Sequence, residues 1–210
     1  MPDILNRLAC RQGRNDETPN VELAEYLCQS EDAAGIRAIV EGFKGRDKTV
    51  ASDCIKVLYE IGARRPDLIA GYAGDFIASV NNKNNRLAWG SMTALAAIRD
   101  ITAEQIYKKL PVIVSAYENG SVITADNCVT VFAKLCKYSV EYEQTVLPIL
   151  LNHLQTCRPK EVARHAERAS VCFKTENAET FIEVLERRRS DLTPPQQTRV
   201  AKLLKTLCRL

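Results

Sequence analysis

Leu110-Pro111-Val112-Ile113 and Leu147-Pro148-Ile149-Leu150 are two versions of one phrase, set 37 residues apart. The same interval before Pro111 reaches Gly74, in Ala73-Gly74-Asp75-Phe76-Ile77. One interval earlier lies Ile36-Arg37-Ala38-Ile39-Val40. The apolar residues fall into columns: Ile36, Ala73, Leu110, Leu147; Ile39, Phe76, Ile113, Leu150; Val40, Ile77, Val114, Leu151. Offsets of three and four residues put each set on one face of a helix.

A second helix per copy keeps the register. Its columns are Ala51, Ala88, Ala125, Val162; Leu58, Leu95, Phe132, Ala169; and Ile61, Ile98, Leu135, Cys172. In the fourth copy the spacing slips by about one residue, and Phe173 fits the Leu135 column better. Turn residues fall between the helices at Gly45-Arg46-Asp47, Asn81 to Asn85, Glu118-Asn119-Gly120-Ser121 and Cys157-Arg158-Pro159. Thr193-Pro194-Pro195 reads as a helix cap followed by first-turn prolines. A pair of this kind cannot bury its apolar face alone and must stack on its neighbours. The expected organisation is one all-α domain over 1–210. Helix pairs are expected at about 31–65, 67–100, 102–138, 141–175 and 176–210, with capping helices over 1–30.

The composition agrees. Hydrophobic residues make 46% of the 210 and charged residues 26%, values of a globular chain rather than a disordered one. No apolar run approaches the roughly 20 residues of a membrane span. The opening Met1-Pro2-Asp3-Ile4-Leu5-Asn6-Arg7 lacks the apolar core of a signal peptide, so a cytoplasmic location is expected, without membrane contact. The eight cysteines include no CxxC pair and sit mostly where a small apolar residue would serve. Reduced thiols are expected, not a disulfide framework.

These features resemble the HEAT-repeat, armadillo-like family. Pro111 and Pro148 are similar to the proline inside the first HEAT helix. Asp53 and Asp126-Asn127 are similar to that family's polar ladder at the start of the second helix. The resemblance spans about 31–210 and departs in its 37-residue unit and in Gly74, which stands where the next two copies carry proline. It implies a right-handed α-α superhelix whose second helices line a concave face, used mostly for binding other proteins.

The chain carries no phosphate loop, nucleophile elbow or HExxH, and only two histidines. No catalytic residue, cofactor or metal is expected. The sharpest metal candidate is His153 with Cys157, spaced i, i+4, with His165 and Cys172 on the next helix; the simpler reading leaves His153 facing solvent. Glu141 and Glu143 read as a solvated turn, and Arg187-Arg188-Arg189 as cations at a helix C-terminus.

Two surface groups are candidate partner-binding residues. Arg86 and Trp89 have the composition of an interface anchor, although packing at a repeat seam is the preferred reading of Trp89. Arg164, Arg168, Lys202 and Lys205, with Arg209, lie on the last two second helices and could form a positive stripe. Residues 156–210 hold 12 Lys/Arg against 7 Asp/Glu, and residues 1–155 hold 17 against 19. The expected function is a non-enzymatic protein-binding scaffold with an unidentified, acidic protein partner. The second reading is a nucleic-acid binder similar to the HEAT-like alkylpurine DNA glycosylases, although no motif of theirs carries over. A third, similar to HEAT-like bilin lyases, would need a concave pocket with a reactive or guiding group, and the Cys54/Cys128 column, interrupted by Ser91, looks buried. The apolar Leu203, Leu204, Leu207 and Leu210 would close the last pair, giving a monomer, or support a weak homodimer.

Overall fold

The computed structural model describes residues 4–210. Its described residues form twelve α-helices, several short 3-10 turns and no strand. They are α1 (Thr18–Ser30), α2 (Ala33–Lys44), α3 (Lys48–Arg64), α4 (Ala73–Ser79), α5 (Asn85–Ile98) and α6 (Ala103–Tyr107). Then follow α7 (Leu110–Asn119), α8 (Val122–Tyr138), α9 (Val140–Thr156), α10 (Pro159–Ala169), α11 (Thr175–Arg187) and α12 (Pro194–Leu207). No described helix is long and apolar enough to cross a membrane. The chain divides into two compact units, Met1–Cys128 and Val129–Leu210, with the division inside α8.

The turns act as helix punctuation. Asp47 caps α3 by accepting the N–H groups of Thr49 and Val50, and Asn84 caps α5 by accepting that of Arg86. Asp32 caps α2 in the same way through Gly35. Each such cap contributes about 1 kcal/mol. Thr193 and Gln196 form a reciprocal capping box at the start of α12. Pro148 lies inside the continuous α9. Pro111 does not: it occupies the first turn of α7, and the first helix of that copy is split into α6 and α7. A proline in the first turn loses no helical hydrogen bond, which is why the helix restarts there. The Gly74 copy is also broken, into 3-10 turns at Pro66–Leu68 and Ala70–Tyr72 followed by the short α4.

In the first unit, α1, α2 and α5 pack against α3, and α4 packs on α5. Gly90 permits the close approach of α5 to α3, because a Cβ there would come within 2.7 Å of the Ile55 side chain. The N-terminal segment is tied down by side chains. Asn20 accepts the N–H of Ala9 at 3.0 Å, and Asp53 accepts that of Cys10 at 2.8 Å. Met1 to Asp3 of the expected cap lie outside the described residues.

In the second unit, α9 and α12 pack on α10 and α11. Phe132, Leu150, Val162, Phe181 and Val200 are wholly buried in it. Leu204 and Leu207 are buried and Leu210 is exposed, so the C-terminal apolar stripe mostly closes its own unit.

The periodic columns are core positions. Ile39, Phe76, Ile113 and Leu150 are all 0% exposed, as are Leu58, Leu95, Phe132 and Ala169. The first-helix columns loosen toward the C-terminus, where Val114, Leu147 and Leu151 are only half-buried.

Candidate functional site

On the first unit, the surface of α3 and α5 carries a continuous polar and aromatic cluster. Lys56, Glu60 and Arg64 follow one another at four-residue intervals on α3, so they share one face. Lys56 Nζ lies 2.7 Å from Glu60 and 3.0 Å from Glu17, the residue that precedes α1. Burial disfavours the Lys56 charge, but the bonds to Glu60 and Glu17 outweigh it and hold the ammonium above its ordinary range. The same contacts, with those of Arg86 and Arg64, overcome burial and hold the Glu17 and Glu60 carboxyls below theirs.

Trp89 and Arg86 belong to this cluster. Arg86 is ion-paired with Glu17, and its Nε donates to the Ser52 carbonyl at 3.3 Å. Its guanidinium lies over the indole of Trp89, 5.5 Å from the centroid. Trp89 meets Tyr59 of α3 with ring centroids 5.7 Å apart. Lys56 lies 4.9 Å over the Tyr59 ring. The indole therefore packs at the α3–α5 seam and still keeps part of its surface in solvent, as does Tyr59. Behind it, the Thr93 hydroxyl donates to the Trp89 carbonyl at 2.8 Å and accepts from Asn127 at 2.9 Å. Asn127 thus links α8 to α5.

On the second unit, Arg164 and Arg168 lie on α10, and Lys202 and Lys205 on α12. Arg164, Lys202, Lys205 and Arg209 are exposed. Arg168 is half-buried and donates to the Thr130 hydroxyl at 3.0 Å. Between the two helices, Arg199 holds both carboxylate oxygens of Glu167 through one edge of its guanidinium, with Nε at 2.7 Å. That hydrogen bond holds the Glu167 carboxyl below its ordinary range. A carboxylate thus stands among the cations of α10 and α12, with Lys202 also acting on it.

Several polar groups expected at the surface of this unit are inside it. His153 is not solvent-facing: it is 5% exposed, and its Nε2 lies 2.7 Å from Nδ1 of His165, itself 1% exposed. The helix face that carries His153 is the α9 face that packs on α10. Cys172 does not join the histidines; its thiol donates to the Ala169 carbonyl at 3.1 Å. Cys172 and burial together push the Cys136 thiol up.

Glu141 and Glu143 stand in the first turn of α9 rather than in a loop. Glu143 is buried, accepting from Asn177 at 2.9 Å and from Lys174 at 2.5 Å. Cys136, Cys172, Glu143 and Lys174 border a cleft of about 410 Å³. Arg188 is no solvated helix-end cation. It is 9% exposed and donates to the carbonyls of Leu154, Gln155 and Cys157, each at 2.8 Å.

The sequence singled out Arg86 and Trp89; the structure sets Glu17, Lys56, Tyr59 and Glu60 around them, which the sequence did not single out. The Lys56-Glu60-Arg64 spacing was the available signal. Tyr59 had none, because it lies 30 residues from Trp89, outside the 37-residue register.

No protein-family model and no curated protein matches the chain. Solved structures do resemble it. One is a designed armadillo repeat protein in complex with the peptide (KR)4, with TM-score 0.69 and 13% identity, covering 89% of this chain and 86% of that one. A second designed armadillo repeat protein gives TM-score 0.64 and 14% identity over 98% of this chain and 99% of the other. The karyopherin Kap121p, solved bound to the SUMO protease Ulp1p, gives TM-score 0.66 and 13% identity over 98% of this chain and 23% of its own. The chain therefore has the all-α fold of the armadillo and HEAT repeat proteins.

Proposed function

We propose that this chain is a non-enzymatic scaffold that holds a segment of a partner protein along the solvent-facing flank of its second helices. The array would run as one domain through the five pairs at about 31–65, 67–100, 102–138, 141–175 and 176–210, behind the cap at 1–30. The observation that carries this reading is the partly exposed Tyr59–Trp89 pair, with Lys56 and Arg86 over its rings. Trp, Tyr and Arg are the residues that most often anchor interfaces, and a ring held rigid in advance loses little entropy on binding. The resemblance to armadillo and karyopherin structures solved with a peptide or a protein bound supports the same use of the fold.

In this reading Arg86 and Trp89 form the anchor. Arg164, Arg168, Lys202 and Lys205 form a second contact suited to an acidic segment. The eight free thiols suit a reducing compartment, and we place the protein in the cytoplasm, as a monomer or weak homodimer.

The test is capture from native extract by the tagged full-length chain, before and after nuclease. Wild type is compared with Trp89→Ala and with Arg164→Glu/Arg168→Glu, each checked for folding by circular dichroism. A protein retained after nuclease and lost with Trp89→Ala is the expected result. Recovery of nucleic acid alone, lost in the double charge reversal, would overturn the scaffold in favour of a nucleic-acid binder.

A further inference from the structure

His153, Cys157 and His165 converge inside the second unit. His153 stands in the last turn of α9, and Cys157 follows directly as its C-cap, with its N–H donating to the His153 carbonyl at 2.8 Å. His165 comes from α10, which packs on α9. One ligand atom from each residue lies within 4.8 Å of the other two.

The two imidazoles present ring nitrogens to each other at 2.7 Å, in a buried setting. Only one proton fits in that gap, so one histidine offers a bare nitrogen lone pair toward its partner. A thiol stands within reach of the same point. Two imidazole nitrogens and a sulfur are the donors that borderline d-block cations select, whereas Mg²⁺ and Ca²⁺ require oxygen. Tetrahedral coordination at about 2.0–2.1 Å per nitrogen would separate the two nitrogens by about 3.3 Å. The rings therefore need to part by roughly half an ångström, within the reach of small χ adjustments.

The surroundings suit such an ion. Arg188 fixes the turn that carries Cys157 through the carbonyls of Leu154, Gln155 and Cys157 itself. Burial pushes the Cys157 thiol up, and the Arg188 charge offsets part of that. Glu161 is buried, held by Arg158 at 3.0 Å, and interacts electrostatically with His165. A carboxylate beside a ligating histidine raises its basicity and orients its ring.

We propose that His153 Nε2, His165 Nδ1 and Cys157 Sγ form a binding site for a single Zn²⁺-class cation, with a fourth coordination position left to water or an added donor. On binding, the shared imidazole proton moves to the outer nitrogen of its own ring. The thiol proton is released to solvent, one per ion. Three protein ligands with an open fourth position differ from a closed structural site, so the ion could take an exogenous donor.

The test uses the reduced, chelator-treated full-length chain, titrated with Co²⁺ and then Zn²⁺. Expected is uptake of one Co²⁺ per chain, with the strong visible bands of four-coordinate cobalt and a sulfur-to-cobalt charge-transfer band, both removed by one equivalent of Zn²⁺. Cys157→Ser should lose the charge-transfer band and weaken Zn²⁺ binding about tenfold or more, and His165→Asn should weaken it further. Cys136→Ser and Cys208→Ser should change neither. Circular dichroism of the metal-free variants separates lost ligands from lost folding; Cys157 is only half-buried, so its serine variant is the one that keeps the test decisive. Failure of folded wild type to take up one equivalent, or an unchanged charge-transfer band in Cys157→Ser, overturns the site.

Discussion

Trp89 of α5 and Tyr59 of α3 meet with ring centroids 5.7 Å apart and planes inclined by 44°. The pair joins two consecutive second helices, and both rings keep part of their surface in solvent. Its contribution to stability can be measured directly. Trp89→Ala should cost about 2 kcal/mol in urea unfolding, less than a fully buried tryptophan. A double-mutant cycle with Tyr59→Leu should return a coupling of about 0.5–1.5 kcal/mol. A coupling near zero would mean that the rings are neighbours without mutual stabilisation.

Arg188 holds three carbonyls at the end of α9 and pairs with Asp191 at 2.8 Å. Arg188→Ala would strand those carbonyls in a largely buried place, at a cost of about 3 kcal/mol. Arg188→Lys should recover only part of this, because one ammonium cannot reproduce the planar fork. Equal stability of the lysine variant and wild type in chemical denaturation would refute the clamp.

The Glu17–Lys56–Glu60 cluster predicts an acid limb of stability. The folded values of both carboxyls lie below the ordinary 4.5, because bonds from Arg86, Lys56 and Arg64 outweigh burial. Their contribution is thus fully present above about pH 4.5 and is lost as the pH falls through the lowered folded values. A Glu17→Gln/Glu60→Gln variant should be less stable at neutral pH and should show a shallower decline below pH 4.5. Parallel stability curves for variant and wild type would place the acid sensitivity elsewhere.

Ser91 stands one interval from both Cys54 and Cys128, and all three are 0% exposed. The Ser91 hydroxyl has no hydrogen-bond partner. Ser91→Ala and Ser91→Cys should therefore stabilise the chain by about 1 kcal/mol, read as a rise in melting temperature. A fall on Ser91→Ala would show that the hydroxyl is satisfied in solution.

The 37-residue recurrence of apolar residues was enough to identify the helix-pair fold, and the turn residues located the caps at Asp47, Asn84 and Thr193. Both signals are local: a buried helix face repeats every three to four residues, and a cap bonds within three. The sequence also marked Arg86 and Trp89 as unusual, and paired His153 with Cys157 by helical spacing, with His165 and Cys172 on the next helix. Tertiary structure alone decided that Tyr59 is the partner of Trp89, that His153 points inward at His165, that Cys172 turns to Cys136, and that Arg188 is a buried clamp. Hydrophobic burial depends only on which face of a helix a residue occupies, and periodicity reveals that. A hydrogen bond or a ligand cluster depends on ångström-scale approach between helices distant in the chain, and no spacing rule along the sequence carries that information.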